Sequence, residues 1–308
     1  MKATPDQPRG LARWWTYQRE RFPLLGHGPL VLAFSSCAVV YSAQLRGATS
    51  LPGWPAFVVA FVTCFVLFLQ LRIADEFKDY DEDLKYRPYR PVQRGLVTLK
   101  ELAVVFAIGA CIQFALALWH DARLVLWLGV VWTYLILMSR EFFVHAWLKA
   151  HPVVYLLSHM VILPLVDFYA TATDWITHGR APAGLLWFVL ASYCNGVVIE
   201  IGRRIRVPAD EETGVQTYSS LWGRTRASVV WLAAIAGTLA FATTAARATG
   251  HVWLVGAGLL VAAMGAGIVV AWFLRQTRSG SGKRIELASA LWTLWLYLLL
   301  GWITWLTR

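Results

Sequence analysis

A dense cluster of carboxylates lies directly after a long apolar run. Residues 75–83 contain six acidic side chains, and a second acidic group occupies residues 200–212. Asp75, Asp79 and Asp83 are spaced four residues apart, so a continuous helix would place them on one face. Three carboxylates on one face repel one another at neutral pH, and a cation between them would relieve that repulsion. Oxygen ligands suit a hard ion such as Mg²⁺, which keeps several waters and takes substrate phosphates as further ligands.

The composition predicts an integral membrane protein of the all-α class. The 308 residues are 58% hydrophobic and 15% charged, with a mean hydropathy of +0.53, whereas a soluble domain has about 25% charged residues. The alternation of a membrane β-barrel is absent, so helices must span the bilayer. Nine apolar segments are long enough to cross. They are residues 28–45, 52–73, 101–119, 122–139, 152–172, 183–203, 227–246, 252–274 and 286–306.

The basic residues predict the orientation. Of the 28 lysines and arginines, 23 lie in the N-terminal tail and in the connections after segments two, four, six and eight. The positive-inside rule therefore predicts a cytoplasmic N-terminus, a C-terminus on the opposite side and both acidic clusters on the cytoplasmic side. No cleavable signal peptide is predicted. We expect residues 1–27 to form a cytoplasmic interfacial segment and residues 28–308 to form one nine-helix domain.

The sequence argues against two kinds of site, a cysteine-based metal or disulfide site and a nucleic-acid-binding site. The four cysteines, Cys37, Cys64, Cys111 and Cys194, all fall inside apolar segments and form no CxxC pair, so we interpret them as small buried hydrophobes. The net charge of +10 follows from membrane topology, because the chain has no basic soluble domain for nucleic acid. The function must be built from helix ends and the two longer connections.

The first connection carries a pattern that resembles the UbiA superfamily of intramembrane prenyltransferases. That family has nine transmembrane helices and an NDxxDxxxD motif after helix 2, followed by an Asn-Arg-Pro segment and a glycine. The matching residues here are Asp75, Glu76, Asp79 and Asp83, followed by Tyr89, Arg90, Pro91 and Gly95. Asp75 replaces the family's Asn and Glu76 replaces its first Asp, and both changes keep oxygen ligands.

The second connection departs further from the family's DxxxD motif after helix 6. If Glu200 takes the place of the first Asp, the residue four later is Arg204. If Gly214 sets the register, Asp210 fits the second Asp and Arg206 occupies the first. Either way an arginine replaces one carboxylate. An arginine can hold a phosphate directly and would assume part of a metal's role.

The resemblance implies a Mg²⁺-dependent enzyme that ionises a prenyl diphosphate inside a membrane cavity open to the cytoplasmic side. Diphosphate leaves once metal and basic side chains neutralise its charge, and the allylic cation needs a water-poor pocket. The implied catalytic and metal-binding residues are Asp75, Asp79, Asp83, Glu200 and Asp210. The implied diphosphate ligands are Arg72, Lys149, Arg90 and Arg204.

Three functions remain open at this stage. The leading hypothesis is transfer of the prenyl group to an aromatic or other lipophilic acceptor, with membrane lipid around the enzyme. A terpene cyclase, which needs no acceptor, is the first alternative. A cation or metabolite permease is the second, although transporters place their ion sites near the bilayer midplane on broken helices.

Two further acidic positions have a structural interpretation. Asp167 lies within an apolar segment, which makes it a functional candidate by default, but we expect it near the outer leaflet with a structural partner. Arg140 and Glu141 could orient an acceptor head group, but we expect them to form a local ion pair.

Overall fold

The described residues fold as a bundle of membrane-length helices and their connections. A computed structural model of the chain describes residues 8–308. Residues 1–7, the first part of the expected interfacial segment, lie outside the described residues. The first half contains α1 Leu11–Arg21, α2 Leu24–Leu45, α3 Trp54–Lys78, α4 Tyr80–Tyr86, α5 Leu99–His120, α6 Leu124–Ser139, α7 His145–Ala150 and α8 Pro152–Met160. The second half contains α9 Ile162–Trp175, α10 Leu185–Gly202, α11 Tyr218–Trp222, α12 Arg224–Arg247, α13 Val252–Leu274, α14 Lys283–Leu298 and α15 Thr304–Leu306.

The all-α membrane class is confirmed. Across residues 8–308, eight helical segments are long and apolar enough to span a bilayer, counting α8 with α9 and α14 with α15 as single segments. The sixteen-residue α6 occupies the remaining predicted segment. The expected boundary between residues 27 and 28 falls inside α2, which begins at Leu24.

The helices differ in how much of their surface other helices cover. In its most apolar window α10 is 61% buried, whereas α5 and α13 are only 22% buried. The central helix α2 packs against α3, α9 and α14, and α10 packs against α9, α12 and α14. The peripheral helices α5 and α13 therefore expose apolar side chains that a bilayer would cover.

A π-helical turn at Leu299–Ile303 joins α14 to α15. Such a turn breaks the regular hydrogen-bond ladder. The Gln44 amide of α2 donates to the carbonyl oxygens of Leu300 at 3.2 Å and Gly301 at 2.8 Å. A Cβ added at Gly301 would lie 2.6 Å from the Cα of Cys37, so glycine permits this close approach of α2.

Gly301→Ala should therefore destabilise the bundle. The new methyl group meets backbone, so α2 and α14 must separate, at a cost of about 1–3 kcal/mol. We expect a lower Tm for the detergent-solubilised variant. Gly265→Ala is the matched control, because a Cβ at Gly265 meets nothing within 4 Å. An equal Tm for both variants would contradict the proposed packing.

Candidate functional site

The first acidic cluster lies where α3 ends and α4 begins. The predicted helix continues past Asp75, but it is interrupted at Asp79, whose backbone (φ −94°, ψ 11°) departs from helical geometry. Backbone hydrogen bonds still run from Asp79 N–H to the Asp75 oxygen at 2.9 Å and from Asp83 N–H to the Asp79 oxygen at 2.8 Å. The three aspartates thus follow one another along a kinked helix rather than a straight one.

Two acids of the first motif are buried in arginine pairs. Glu76 is fully buried and pairs with Arg21 of α1. Asp83 is also fully buried and pairs with Arg87 at 2.7 Å and with Arg90. Because buried carboxylates need such partners, these two acids hold α1 and the first connection onto the end of α3.

The negative charges of the other two acids, Asp75 and Asp79, are only weakly balanced by nearby positive charge. The Asp75 side chain is 39% exposed, and its ion-pair partner is Arg72 at 3.3 Å. Within the described residues, Asp79 makes neither an ion pair nor a side-chain hydrogen bond. Burial, followed by repulsion from Asp75 and then from Asp83, raises the pKa of Asp79 to about 6 despite the opposing Lys78 charge. A cation beside Asp75 and Asp79 would offset this repulsion.

The acids of the second connection have partners of their own. Glu200 is buried at the end of α10 and pairs with Arg203 at 2.5 Å and Arg204 at 2.9 Å. Asp210 accepts hydrogen bonds from the Ser279 hydroxyl and, at 2.8 Å, from the Gly280 amide. These two bonds, that of Ser279 first, lower the pKa of Asp210. Asp210 therefore fixes the turn between α13 and α14.

The two connections pack directly against each other. Gly214 has a φ of +78°, and a Cβ there would lie 2.5 Å from the Tyr86 ring at the end of α4. The Tyr89 hydroxyl donates to Glu212 at 3.1 Å. The glycine of the second motif is thus required both by its backbone conformation and by this contact.

Arg204 pairs with Glu200 and is within electrostatic range of Asp75. Glu200 has the largest effect in raising the pKa of Arg204, and Tyr218, Tyr155 and Asp75 also raise it. Arg203 is likewise within electrostatic range of Arg72 on α3. The ends of α3 and α10 thus bring guanidinium groups within electrostatic range of Asp75, and that of Arg72 is in contact with it.

Lys78 contacts a strained turn through Glu141, and this contact places Lys78 at the site. Its ammonium group donates to the Tyr155 hydroxyl of α8 and pairs with Glu141 at 3.2 Å. Glu141, Phe142 and Phe143 have φ values of 48°, 52° and 61°, a left-handed conformation that is costly for these residue types. That turn directs the Glu141 carboxylate toward Lys78 and His145. The prediction of a local ion pair between Arg140 and Glu141 is therefore wrong.

The four predicted diphosphate ligands are not all brought together. Arg72 and Arg204 lie near Asp75. Arg90 turns its guanidinium group to buried Asp83. The Lys149 side chain is 58% exposed and lies 3.7 Å from Glu82, which is exposed as well.

Four of the five predicted metal ligands have separate partners, and Asp79 has none within residues 8–308. Across residues 8–308, no group of three or more His, Cys, Asp or Glu side chains is arranged to hold a metal ion. A Mg²⁺ ion needs only one or two carboxylates when substrate phosphates and waters complete its shell. Asp75 and Asp79 meet that requirement, because their charges repel each other and lack strong partners.

Some contributors were not predicted from the sequence. Lys78 and Tyr155 meet across α3 and α8, and no local pattern indicates such a contact. Nothing in the sequence distinguishes Arg203, because most basic residues on this side follow from topology. Asp167 is fully buried and accepts a hydrogen bond from Tyr297 at 2.7 Å, which provides a partner of the expected kind.

Known structures share this architecture. The chain is similar to an apo UbiA homolog from Aeropyrum pernix K1, with 19% identity, 87% of this chain and 95% of that chain covered, and a TM-score of 0.66. It is similar to a digeranylgeranylglyceryl phosphate synthase at 12% identity, with 94% and 98% covered and a TM-score of 0.61. A UbiA homolog from Archaeoglobus fulgidus bound to GPP and Mg²⁺ matches at 13% identity, with 92% and 99% covered and a TM-score of 0.58.

Sequence comparison identifies the family. No curated protein matches the chain, and the structural matches, at these identities, establish the fold alone. The profile of the UbiA prenyltransferase family, however, matches residues 33–295. That range contains both acidic connections and nearly all of the bundle. The chain belongs to the UbiA prenyltransferase family.

Proposed function

We propose that this protein ionises an isoprenoid diphosphate with Mg²⁺ inside the membrane and transfers the prenyl group to a lipophilic acceptor. One observation supports this most directly. Within residues 8–308 Asp79 has no ion-pair partner and Asp75 has one, Arg72 at 3.3 Å, whereas the neighbouring Glu76 and Asp83 are fully buried in arginine pairs. Weakly paired carboxylates within electrostatic range of guanidinium groups fit a metal ion that shares a diphosphate with those groups.

Asp75 and Asp79 are the residues that would hold the ion. When bound, Mg²⁺ would neutralise charge on the leaving diphosphate. The earlier expectation included Asp83, Glu200 and Asp210 as metal ligands, and it stays a prediction. Their arginine and loop contacts favour a supporting role instead.

Arg72 and Arg204 would bind the diphosphate directly. Each guanidinium group offers several N–H donors to phosphate oxygens. Arg204 is anchored by Glu200 at 2.9 Å, so its position is fixed before substrate arrives. Lys78, held by Glu141 and Tyr155, adds a further positive charge beside Asp79.

The bundle interior provides the apolar surroundings that a prenyl cation needs. A continuous buried core extends through the central helices and includes Phe34, Tyr41 and Trp231. Exclusion of water there would protect the cation from quenching. By the positive-inside rule, we propose that the acidic end of the bundle faces the cytoplasm and that the C-terminus lies on the opposite side.

Turnover of prenyl diphosphates tests the proposal. The purified protein in detergent, with Mg²⁺ and C10, C15 or C20 prenyl diphosphate, should release diphosphate when a membrane lipid or phenolic extract is added. The measurement is diphosphate release together with mass analysis of prenylated products. Asp79→Ala should abolish release, and Asp81→Ala, an exposed neighbour, should not.

Other outcomes would redirect or reject the assignment. Cyclic hydrocarbon or terpene alcohol formed without acceptor, and lost in Asp79→Ala, would indicate a cyclase. If no condition gives turnover and the diphosphates show no Mg²⁺-dependent binding, the enzyme proposal is wrong.

The role of Arg204 can be tested separately. Arg204→Gln should raise the KM for prenyl diphosphate by about tenfold, because a charge-assisted hydrogen bond is lost. Arg204→Lys should lie between wild type and the Gln variant, since lysine keeps the charge without the planar fork. Arg226→Gln, an exposed residue of α12 on the same side, is the matched control. An unchanged KM in Arg204→Gln would remove Arg204 from the site.

The raised pKa of Asp79 predicts a metal-linked pH dependence of stability. A carboxyl group with a raised pKa costs folding free energy once ionised, so the metal-free protein should lose stability as the pH rises from 3.8 to about 6. In EDTA, the Tm of Asp79→Asn should decrease less than the wild-type Tm as the pH rises through this range. At neutral pH, the Tm of Asp79→Asn should be higher than that of wild type. Mg²⁺ should raise the wild-type Tm and leave that of Asp79→Asn unchanged.

Asp81→Asn serves as the control for that experiment, because Asp81 is exposed. If Asp79→Asn and wild type give the same Tm profile with and without Mg²⁺, Asp79 is neither strained by its neighbours nor a metal ligand.

A further inference from the structure

A buried histidine with an unused ring nitrogen lies in α8. His159 is only 7% exposed. Its Nε2 atom is buried and has no hydrogen-bond partner among residues 8–308. Buried polar atoms in folded proteins nearly always have a partner, because one without a partner is unfavourable. The free nitrogen therefore points to a ligand group that binds there.

The other ring nitrogen fixes the tautomer of His159. Nδ1 lies 2.8 Å from the backbone carbonyl oxygen of Tyr155. A carbonyl oxygen only accepts hydrogen bonds, so Nδ1 carries a hydrogen and donates it. The Ser158 hydroxyl lies 3.4 Å from Nδ1, but it donates its own hydrogen to the same carbonyl. In the neutral ring, Nε2 is then an unprotonated nitrogen with a free lone pair.

Aromatic contacts hold the ring in place. The His159 ring stacks on the Tyr155 ring, with centroids 3.8 Å apart and planes 16° apart. The ring of Phe142, from the left-handed turn after α6, meets it edge-on at 6.0 Å. Neither contact occupies the lone pair of Nε2, because an aromatic ring supplies no N–H or O–H donor from its carbon atoms.

Tyr155 connects His159 to the proposed reaction site. The Tyr155 hydroxyl accepts a hydrogen bond from Lys78, and Tyr155 is within electrostatic range of Asp79 and Arg204. Because the His159 ring lies directly against Tyr155, it borders the site at which the prenyl diphosphate would ionise.

Three charged groups on other elements are within electrostatic range of His159. They are Lys78 of α3, Glu141 of the turn after α6 and Glu200 of α10. The positive charge of Lys78 favours the neutral ring, whereas the two carboxylates would stabilise an imidazolium that forms transiently. This environment suits a ring that is neutral at rest and takes up a proton during a reaction.

We infer that Nε2 of His159 accepts the proton that a hydroxyl-bearing prenyl acceptor loses. The inference rests on the proposed function and narrows the acceptor to a lipophilic alcohol or phenol. The C1–O bond of the prenyl diphosphate breaks, and its electron pair leaves with the diphosphate. The acceptor's oxygen bonds to C1 and its hydrogen moves to Nε2. The imidazolium gives that proton to water as the product leaves.

The chemistry of the step favours a hydroxyl group. An oxygen that has bonded to C1 while still bonded to hydrogen carries a positive charge, so its proton is strongly acidic and even a weak base accepts it. An alkylated amine would instead hold its proton more tightly than imidazole does. A fixed base is needed because the site excludes water, which would otherwise take the proton and also quench the cation.

The ratio of two products tests this role. The full-length protein in detergent receives Mg²⁺, a radiolabelled C10, C15 or C20 prenyl diphosphate and the membrane lipid or phenolic extract. The measurements are diphosphate release and the ratio of prenylated acceptor to prenyl alcohol. His159→Gln should keep diphosphate release, because ionisation needs no base. It should lower the product ratio by about a hundredfold, because a glutamine amide takes up no proton.

His151→Gln is the matched control. His151 stacks on Trp147 at 4.5 Å and places Nδ1 2.7 Å from the Trp147 carbonyl oxygen, but it is exposed. Its substitution should leave the product ratio unchanged. If His159→Gln folds poorly, His159→Asn is the second variant, since its amide can donate to the Tyr155 carbonyl in place of Nδ1. It should lower the ratio as well.

Two results would overturn the inference while the proposed function stands. One is a wild-type product ratio in a folded His159→Gln or His159→Asn variant, which would leave His159 only a packing role against Tyr155. The other needs no variant: a wild-type product that carries the prenyl group on carbon or nitrogen, identified by mass spectrometry and NMR. If wild type releases no diphosphate under any condition, the proposed function is wrong and the inference fails with it.

Discussion

Pairing of buried carboxylates with arginines holds the acidic end of the bundle together. Glu76 and Asp83 are fully buried, and removal of such charges from water is costly unless each finds a partner. Arg21 reaches Glu76 from α1, while Arg87 and Arg90 reach Asp83 from the first connection. These contacts, together with an apolar cluster that includes Tyr17, Ile73 and Val92, hold α1 and the proline-containing connection onto the end of α3.

Two acids of the first motif, Asp75 and Asp79, take no part in this buried pairing. Once Glu76, Asp83 and Glu200 are neutralised, Asp75, with its single contact to Arg72, and Asp79, with no ion pair within residues 8–308, are the most weakly paired acids of the first motif. A folded protein gains no stability from two repelling carboxylates, and groups of this kind are typical of functional sites. The left-handed turn at Glu141–Phe143 is a second local cost, and it serves to hold Lys78 beside these acids.

Much of the fold follows from local patterns in the sequence. Hydropathy predicted the membrane helices, and Thr98 caps α5 with a reciprocal bond to Glu101, a local pattern that the sequence contains. Gly95 and Gly214 both have positive φ, which explains why these motif positions suit glycine. The partner of each acid was not predictable, because Arg21–Glu76 and Lys78–Glu141 join residues far apart in the chain. Their pairing depends on how the helix ends pack, which periodicity does not specify.

The altered second motif has a physical explanation within the proposed function. In place of a second free acid, α10 presents Glu200 bound to Arg203 and Arg204. A carboxylate site holds a phosphate only through a metal ion, which must bind first, whereas an anchored guanidinium contacts the phosphate directly. One ion at Asp75 and Asp79 with arginines opposite would then neutralise the diphosphate from both sides. Because guanidinium groups keep their charge throughout the accessible pH range, only the α3 side of such a site would depend on metal concentration and on the ionisation of Asp79.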